Sequence, residues 1–244
     1  MKKIMFRRFP ALGYAANEAM NTLCTNLTFS GAEYRKILIT SSHSSEGKSF
    51  LSMNIARTLA TIGYSVALVD CDLRRSELMR KYFKVEEAQY KGTSHFLAGL
   101  ASLEDVVYET EVPGMHFVPR GRAVTNSLPL VSSDRLEELL NALTEDHDFV
   151  IVDAPPVGLI VDAARIATVC DGTVLVVSYN SVRRRELVEA KAQIEQSGCP
   201  ILGTVINQAD FKDYVNRKYY NRNYEGYYRT TEEVTFKKKS EPKE

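Results

Sequence analysis

The stretch from residue 35 to residue 54, RKILITSSHSSEGKSFLSMN, decides the fold of this chain. An apolar run from Ile37 to Thr40 leads into small polar residues, then into Gly47-Lys48-Ser49, and then into a helical pattern. This order predicts a buried strand, an anion-binding loop, and a helix whose positively polarised end faces that loop. In such a loop the lysine contacts the phosphates of a nucleotide, and the serine hydroxyl ligates Mg²⁺. The usual pattern G-x-x-x-x-G-K-[ST] is broken at its first position, which is Ser42.

Two further apolar runs end in carboxylates. Val66 to Val69 is followed by Asp70 and Asp72, and Phe149 to Val152 is followed by Asp153. Such continuous runs are typical of strands buried on both faces of a parallel sheet. Ligands of open α/β sheets bind at the carboxyl ends of the strands. One such carboxylate alone is equally well explained as a strand-end or helix-cap residue, but three beside a Gly-Lys-Ser loop predict a site for a nucleotide and Mg²⁺.

These motifs, in this order, resemble those of the bacterial tyrosine kinases that control capsule and exopolysaccharide synthesis. That family carries a Walker A motif ending in EGKS, matched at residues 46–49, and a Walker A′ motif DxDxR, matched at residues 70–74. Its Walker B motif DxPP is matched at residues 153–156, and a tyrosine cluster follows near the C-terminus. The resemblance extends from about residue 17 to residue 228. The Walker A′ motif together with the tyrosine cluster is the specific part, because many ATPases share the other two motifs.

The resemblance implies an α/β fold of the P-loop NTPase class, with a doubly wound, mostly parallel sheet flanked by helices. Strand and helix patterns that alternate along the chain agree with this fold. We expect a kinase domain at residues 1–210, which includes an N-terminal oligomerisation helix, and a flexible tyrosine tail at residues 211–244. We also expect a frayed N-terminus and a polar, mobile loop from Gly121 to Pro129.

The resemblance also implies roles for the site residues, with ATP and Mg²⁺ as cofactors. Lys48 would stabilise charge on the transferred phosphoryl group. Ser49 would bind Mg²⁺ directly, and Asp72 and Asp153 would hold it through water. Asp70 is the candidate base that accepts the tyrosyl proton, although the choice between Asp70 and Asp72 stays open.

Contacts with the nucleotide are expected from the loop and from the last strand. Asn207 matches the position where relatives meet the adenine, and it is otherwise a simple turn residue. The expected nucleotide contacts are Ser44, Ser45, Glu46, Gly47, Lys48, Ser49, Phe50 and Asn207.

The C-terminal region concentrates one residue type. The chain has 13 tyrosines. The region has almost no aliphatic residues, so it cannot build a core. From residue 212 to residue 229 there are five basic and two acidic residues, which gives a net charge of +3. Each phosphate adds roughly −1.5 to −2 charges, so we expect phosphorylation to reverse the sign and release the tail from its binding site. The candidate phosphorylation sites are Tyr214, Tyr219, Tyr220, Tyr224, Tyr227 and Tyr228.

Two departures from the family pattern concern activity and assembly. The family's helix motif E-x-x-R-x-x-R packs against the next subunit of a ring, but here Asn21 and Cys24 replace both arginines after Glu18. We expect ring self-association to be weakened. Ser44-Ser45 stands where Pro-Gly is usual, so the loop has less backbone freedom, and activity could be lowered.

The soluble Gram-positive branch of the family implies further partners. They are a transmembrane adaptor of the polysaccharide co-polymerase type, which activates the kinase, and a cognate phosphotyrosine phosphatase. The expected location is cytoplasmic, at the inner face of the cell membrane. No apolar run approaches the ~20 residues of a membrane span.

Other function classes are less well supported. The net charge is zero, so nothing outside the tail indicates nucleic-acid binding, although a basic, aromatic tail that binds RNA is a competing interpretation. An ATPase switch of the ParA/MinD kind shares the fold but usually carries a lysine early in the loop, where this chain has His43. A scaffold that binds nucleotide without turnover is the third alternative.

Overall fold

The computed structural model describes residues 2–7, 9, 12–83 and 90–209. The first compact unit, Met1–Asn207, contains the strands and helices of this part of the chain. The second unit, Gln208–Glu244, lies almost entirely outside the described residues. The boundary expected at residue 210, the flexible tail and the six candidate tyrosines of the tail therefore stay predictions.

A sheet of eight strands forms the centre of the first unit, in the order β1-β4-β5-β3-β6-β2-β7-β8. Neighbouring strands run parallel except β4 and β5, which are antiparallel. The predicted α/β P-loop fold with a mostly parallel sheet is confirmed. The strands are β1 (Lys2–Lys3), β2 (Lys36–Ser41), β3 (Val66–Asp70), β4 (Tyr108–Glu109), β5 (Met115–Val118), β6 (Phe149–Asp153), β7 (Gly172–Ser178) and β8 (Ile201–Asn207).

Helices connect the strands. The predicted alternation of strands and helices is present, with the expected N-terminal helix and the helix after the loop as α1 and α2. The short helices α3 and α4 were not expected, because five or six residues are too few to show a clear 3.6-residue period. The described helices are α1 (Tyr14–Phe29), α2 (Lys48–Thr61), α3 (Glu77–Tyr82), α4 (Thr93–Leu97), α5 (Leu103–Val106), α6 (Leu128–Val131), α7 (Asp134–Asp146), α8 (Asp162–Ala167) and α9 (Arg184–Gln196).

The sheet separates two apolar layers. Along β2, Ile37 and Ile39 face the layer that contains α1, α2 and α3, whereas Leu38 faces the layer that contains α7, α8 and α9. All three side chains are fully buried. Because both faces of the central strands are covered, their sequences are continuously apolar, and their polar residues are confined to the strand ends.

The expectation of a frayed N-terminus is wrong. Strand β1 pairs with β4, and the Phe6 ring is buried and stacks on Phe83, with ring centroids 4.7 Å apart. Phe83 in turn stacks on Phe117 of β5 at 4.1 Å. Aromatic burial therefore holds the N-terminal segment on the sheet.

The expectation of a mobile loop from Gly121 to Pro129 is also wrong in part. The segment runs into α6, and Ser127 is fully buried, where its hydroxyl donates to the carboxylate of Asp162.

Among the described helices, none has the length and apolar character needed to cross a membrane.

Candidate nucleotide and phosphoryl-transfer site

The phosphate loop lies between β2 and α2, at the carboxyl edge of the sheet. Gly47 precedes α2 with φ at +90°, and a Cβ built there would lie 2.0 Å from Nδ2 of Asn207. Ser45 also has a positive φ, at 66°, which is uncommon for a residue with a side chain. Ser45 stands where the family pattern has glycine, so the loop keeps this conformation at a cost in backbone strain.

Glu46 holds the loop to the neighbouring strand. Its side chain is 2% exposed, and it accepts hydrogen bonds from the backbone N–H of His43 (2.6 Å) and of Ser178 at the end of β7 (3.0 Å). The side-chain amide of Asn207 donates to the carbonyl of Glu46 at 2.9 Å. The predicted contact residues Glu46, Gly47 and Asn207 are therefore brought together.

Lys48 begins α2 and is 7% exposed. Its Nζ lies 3.9 Å from Oδ2 of Asp72, and the other oxygen of Asp72 accepts from the backbone N–H of Arg75 at 2.9 Å. The Lys48 ammonium group, which is predicted to contact phosphates, thus lies beside Asp72, one of the three predicted carboxylates. Ser49, the next residue of the helix, is also buried.

Asp70 and Asp153 are register partners at the ends of β3 and β6. Both are fully buried. Asp70 accepts from the hydroxyl of Ser76 and from the backbone N–H of Asp72. Asp153 accepts from the hydroxyl of Ser52 through Oδ1 at 3.0 Å, and its Oδ2 has no hydrogen-bond partner among the described residues.

Burial shifts the pKa values of all three aspartates at this strand edge. It raises the pKa of Asp153 to about 6. It raises the pKa of Asp70 well above its usual range, and the charge of Asp153 adds to that effect. Burial also raises the pKa of Asp72, although the Arg75 amide and Lys48 oppose the shift. Negative charge on these carboxylates is therefore costly in the ligand-free site, and a bound cation would favour their ionised forms.

A nucleotide with Mg²⁺ fits this set of groups. The unpartnered Oδ2 of Asp153, the hydroxyl of Ser49 and the carboxylate of Asp72 are the hard oxygen ligands that Mg²⁺ prefers. Among the described residues, no three His, Cys, Asp or Glu side chains are arranged to hold a metal by themselves.

The other predicted contacts are placed differently. Ser44 and Ser45 lie in the loop, whereas the ring of Phe50 packs against the apolar layer that contains α1 and α2. Sequence reasoning missed Ser52 and Ser76, which contact the carboxylates. Ser52 lies one helical turn beyond Lys48, and this spacing is the signal that could have identified it.

A second polar cluster ties the Walker A′ segment to the segment after Walker B. Nε of Arg74 donates to the hydroxyl of Ser127 at 2.8 Å and lies 3.4 Å from Oδ2 of Asp162. Asp162 is buried, so the cluster fixes how the Asp72 loop is oriented. Arg120 is also buried nearby, and its charge acts on both Asp70 and Asp72.

The two residues that replace the family's arginines lie on different faces of α1. Asn21 is exposed, and its side chain donates to Glu18. Cys24 is fully buried, and its Sγ lies 3.9 Å from the carbonyl of Ile55 in α2. Position 24 therefore faces the chain's own core in this structure.

Comparison with known proteins places this site in a family. The profile of the CobQ/CobB/MinD/ParA nucleotide binding domain matches residues 37–219, which include all three motifs. The tyrosine-protein kinase CpsD of Streptococcus agalactiae is 39% identical over 204 residues, or 82% of this chain and 88% of that protein. The chain belongs to the family of bacterial tyrosine kinases.

Solved structures agree with the assignment of this bacterial tyrosine kinase. The BceF tyrosine kinase domain is 32% identical with a TM-score of 0.69, and the match covers 78% of this chain and 76% of that one. The chimerical protein CapA2B2 is 25% identical with a TM-score of 0.76, and the match covers 86% and 94%. The family predicted from the motifs is confirmed.

Proposed function

We propose that this bacterial tyrosine kinase transfers the γ-phosphoryl group of ATP to tyrosines of its own C-terminal cluster, from one copy of the chain to another. The observation that carries the proposal is the position of Lys48 beside Asp72, at a strand edge where the buried Asp153 keeps one oxygen unpartnered. The candidate acceptors, between residues 214 and 228, lie outside the described residues.

The reaction joins the tyrosine oxygen to the γ-phosphorus and breaks the bond from that phosphorus to the β–γ bridging oxygen, so that ADP leaves. The proton of the tyrosine passes to a carboxylate. Mg²⁺, when bound, neutralises charge on the phosphates. Lys48 and the loop amides, held by Glu46 and Asn207, position the γ-phosphate and stabilise its charge. Ser49, Asp72 and Asp153 are the residues that would hold the ion.

The base is Asp70 or Asp72. Asp72 faces Lys48, which supports a position next to the reacting groups, whereas Asp70 is enclosed by Ser76 and needs a side-chain rotation to reach a substrate. Separate Asp70→Asn and Asp72→Asn variants distinguish the two roles. Loss of the base lowers kcat and flattens its pH profile, whereas loss of a residue that holds the ion raises the Mg²⁺ concentration needed for activity.

The cellular role follows from the family. We propose that the kinase regulates capsule or exopolysaccharide synthesis and export, and that a transmembrane adaptor activates it and recruits it to the inner face of the membrane. The match to CapA2B2, a chimeric protein, supports pairing with a second component. Self-association in a ring and an opposing phosphotyrosine phosphatase complete the proposal. The exposed Asn21, which has no charge to offer a neighbouring subunit, supports a weaker ring.

Phosphotyrosine mapping by mass spectrometry after incubation with Mg-ATP tests the proposal. We expect phosphate on the tail tyrosines, more of it when the adaptor's cytoplasmic segment is added. Lys48→Met should reduce it by about 100- to 1000-fold, the usual effect of losing a group that stabilises transition-state charge. Lys191→Met, on the exposed surface of α9, is the matched control and should match the wild type.

Two other outcomes would replace the proposal. ATP hydrolysis with an unmodified tail would favour a switch of the ParA/MinD kind, whose nucleotide binding domain the same family profile includes. Nucleotide binding without ATP hydrolysis or phosphate transfer would identify a scaffold. Ser44 and Ser45 would then be the first positions to replace, with the usual Pro and Gly.

A further inference from the structure

Three consecutive arginines stand at the start of α9, where helix electrostatics disfavours them. Arg183, Arg184 and Arg185 are all exposed. The N-terminal end of a helix carries partial positive charge, so cations are unfavourable there and anions are favourable. Glu186 is the acidic residue of that first turn, and its carboxylate accepts from the backbone N–H of Arg183 at 2.9 Å.

Two of these arginines make no direct side-chain contact with a carboxylate of the described residues, although the charge of Arg183 acts on Glu186. Nε of Arg185 pairs with Glu189 at 2.8 Å. The guanidinium groups of Arg183 and Arg184 donate no hydrogen bond to, and form no ion pair with, any described residue. The surface at Arg183–Arg185, called here the arginine run, therefore places three positive charges at an unfavourable helix end. The carboxylates of Glu186 and Glu189 offset two of them, which leaves one positive charge in excess.

The arginine run lies beside the phosphate loop. β7 ends at Ser178, whose backbone N–H donates to Glu46 of the loop, and α9 begins six residues later. Nε2 of His43, also in the loop, lies 3.5 Å from the carboxylate of Glu186. The first turn of α9 is therefore in contact with the phosphate loop through Glu186.

The tyrosine tail changes sign when it is modified. Its segment from residue 212 to residue 229 has a net charge of +3 and would be repelled by the arginine run. Three phosphates add about −4.5 to −6 charges, which makes the segment negative. Arginine binds phosphate through two parallel N–H donors, so the modified segment matches this surface in both charge and geometry.

We propose that the arginine run binds the phosphorylated tyrosine segment of a second copy of this chain. The proposal rests on the proposed function for the origin of the phosphates. The unmodified, basic tail reaches the phosphoryl-transfer site as the acceptor. Once modified, it moves to the arginine run, which clears the site for the next acceptor and retains the product beside it.

Peptide binding to the full-length chain tests this surface. The protein carries Lys48→Met, so that its own tail stays unmodified. The probes are synthetic, fluorescent peptides of residues 212–229, one unmodified and one with phosphotyrosine at positions 219, 220 and 224. Fluorescence anisotropy at low salt should show that the phosphorylated peptide binds at least about tenfold more tightly, the effect of a few charge-assisted hydrogen bonds.

The variants assign the site. Arg183→Ala with Arg184→Ala should weaken binding of the phosphorylated peptide by about tenfold or more. Lys2→Ala with Lys3→Ala removes the same charge from β1, at the opposite edge of the sheet, and should leave binding within about twofold of wild type. Equal binding by the arginine variant and the wild type, or equal losses in both variants, would overturn the proposal.

Two further readouts separate the alternatives. In the first, vesicles that contain phosphatidylserine replace the peptide. If the two arginine substitutions weaken binding to the vesicles but not to the phosphorylated peptide, the surface is a membrane contact and the proposal is overturned. Because the peptides are synthetic, the result does not depend on kinase activity. Failure of the proposed function appears instead as an unmodified tail in the mass spectrum.

Discussion

The side-chain amide of Asn207 donates a hydrogen bond of 2.9 Å to the backbone carbonyl of Glu46, so the last strand closes onto the phosphate loop. The next residue, Gly47, approaches the same amide so closely that a Cβ would lie 2.0 Å from it. The loop conformation thus depends on the absence of a side chain at position 47 as much as on the side chain at position 207.

Gly47→Ala should disable the site. Alanine meets both the positive φ of +90° and the Asn207 amide, so the loop must shift, and a shift of about 1 Å lowers phosphoryl transfer by about 100-fold. Nucleotide titration and a kinase assay measure the change. Gly63→Ala is the matched control, because Gly63 also has a positive φ, of +107°, but open space around its Cβ position. It should cost about 1–2 kcal/mol of stability without reducing nucleotide affinity, and an equal loss of affinity would contradict this account.

Glu46→Gln should weaken both the loop and the fold. The carboxylate accepts two backbone N–H groups, and an amide can accept only one while its NH₂ faces the other. We expect the free energy of unfolding to fall by about 1–3 kcal/mol and the nucleotide affinity to fall with it. Urea unfolding and nucleotide titration measure the two effects. Glu145→Gln on the exposed surface of α7 should change neither, and a Glu46 variant with wild-type unfolding would show that these hydrogen bonds contribute no stability.

Asp153→Asn should stabilise the ligand-free protein at pH 8 but not at pH 4. Burial raises the pKa of Asp153 from 3.8 to about 6, so the folded protein binds this proton more tightly than the unfolded chain does. The free energy of unfolding therefore falls as pH rises from about 4 to about 6, and the cost above that range is about 3 kcal/mol. Asparagine avoids that cost. Urea unfolding at both pH values tests the prediction, which is contradicted by an equal effect at the two pH values. Activity should be lost at either pH.

Phe6→Ala should destabilise the fold, although Phe6 lies near the chain terminus. Its ring is 7% exposed and stacks on Phe83, so its removal should cost about 3 kcal/mol, the lower end for a buried phenylalanine. Phe29→Ala is the control, because Phe29 is 81% exposed at the end of α1, and its effect should stay within about 0.5 kcal/mol. Thermal unfolding measures both, and equal midpoints would restore the interpretation of a frayed terminus.

Much of this fold was predictable because its central strands are buried on both faces. The apolar runs that end in Asp70 and Asp153 show the strands directly, and the Gly-Lys-Ser tripeptide marks the start of the helix after the loop. The N-terminal strand was not predictable, because Lys2–Lys3 is too short to show a period and Phe6 finds its partner 77 residues away. The same holds for Ser127, whose polar neighbours suggest a solvated loop until Asp162 provides a buried acceptor.

The sequence by itself determined the fold family and the residue types of the candidate site, because short motifs mark the phosphate loop and the strands that end in carboxylates. Only the tertiary structure decided how those residues meet. The register of β3 with β6 places Asp70 beside Asp153, and the crossover to β8 brings Asn207 to Glu46. The burial that raises the carboxyl pKa values arises from helices distant in the sequence. Strand order and desolvation depend on contacts between distant segments, and no local pattern encodes them.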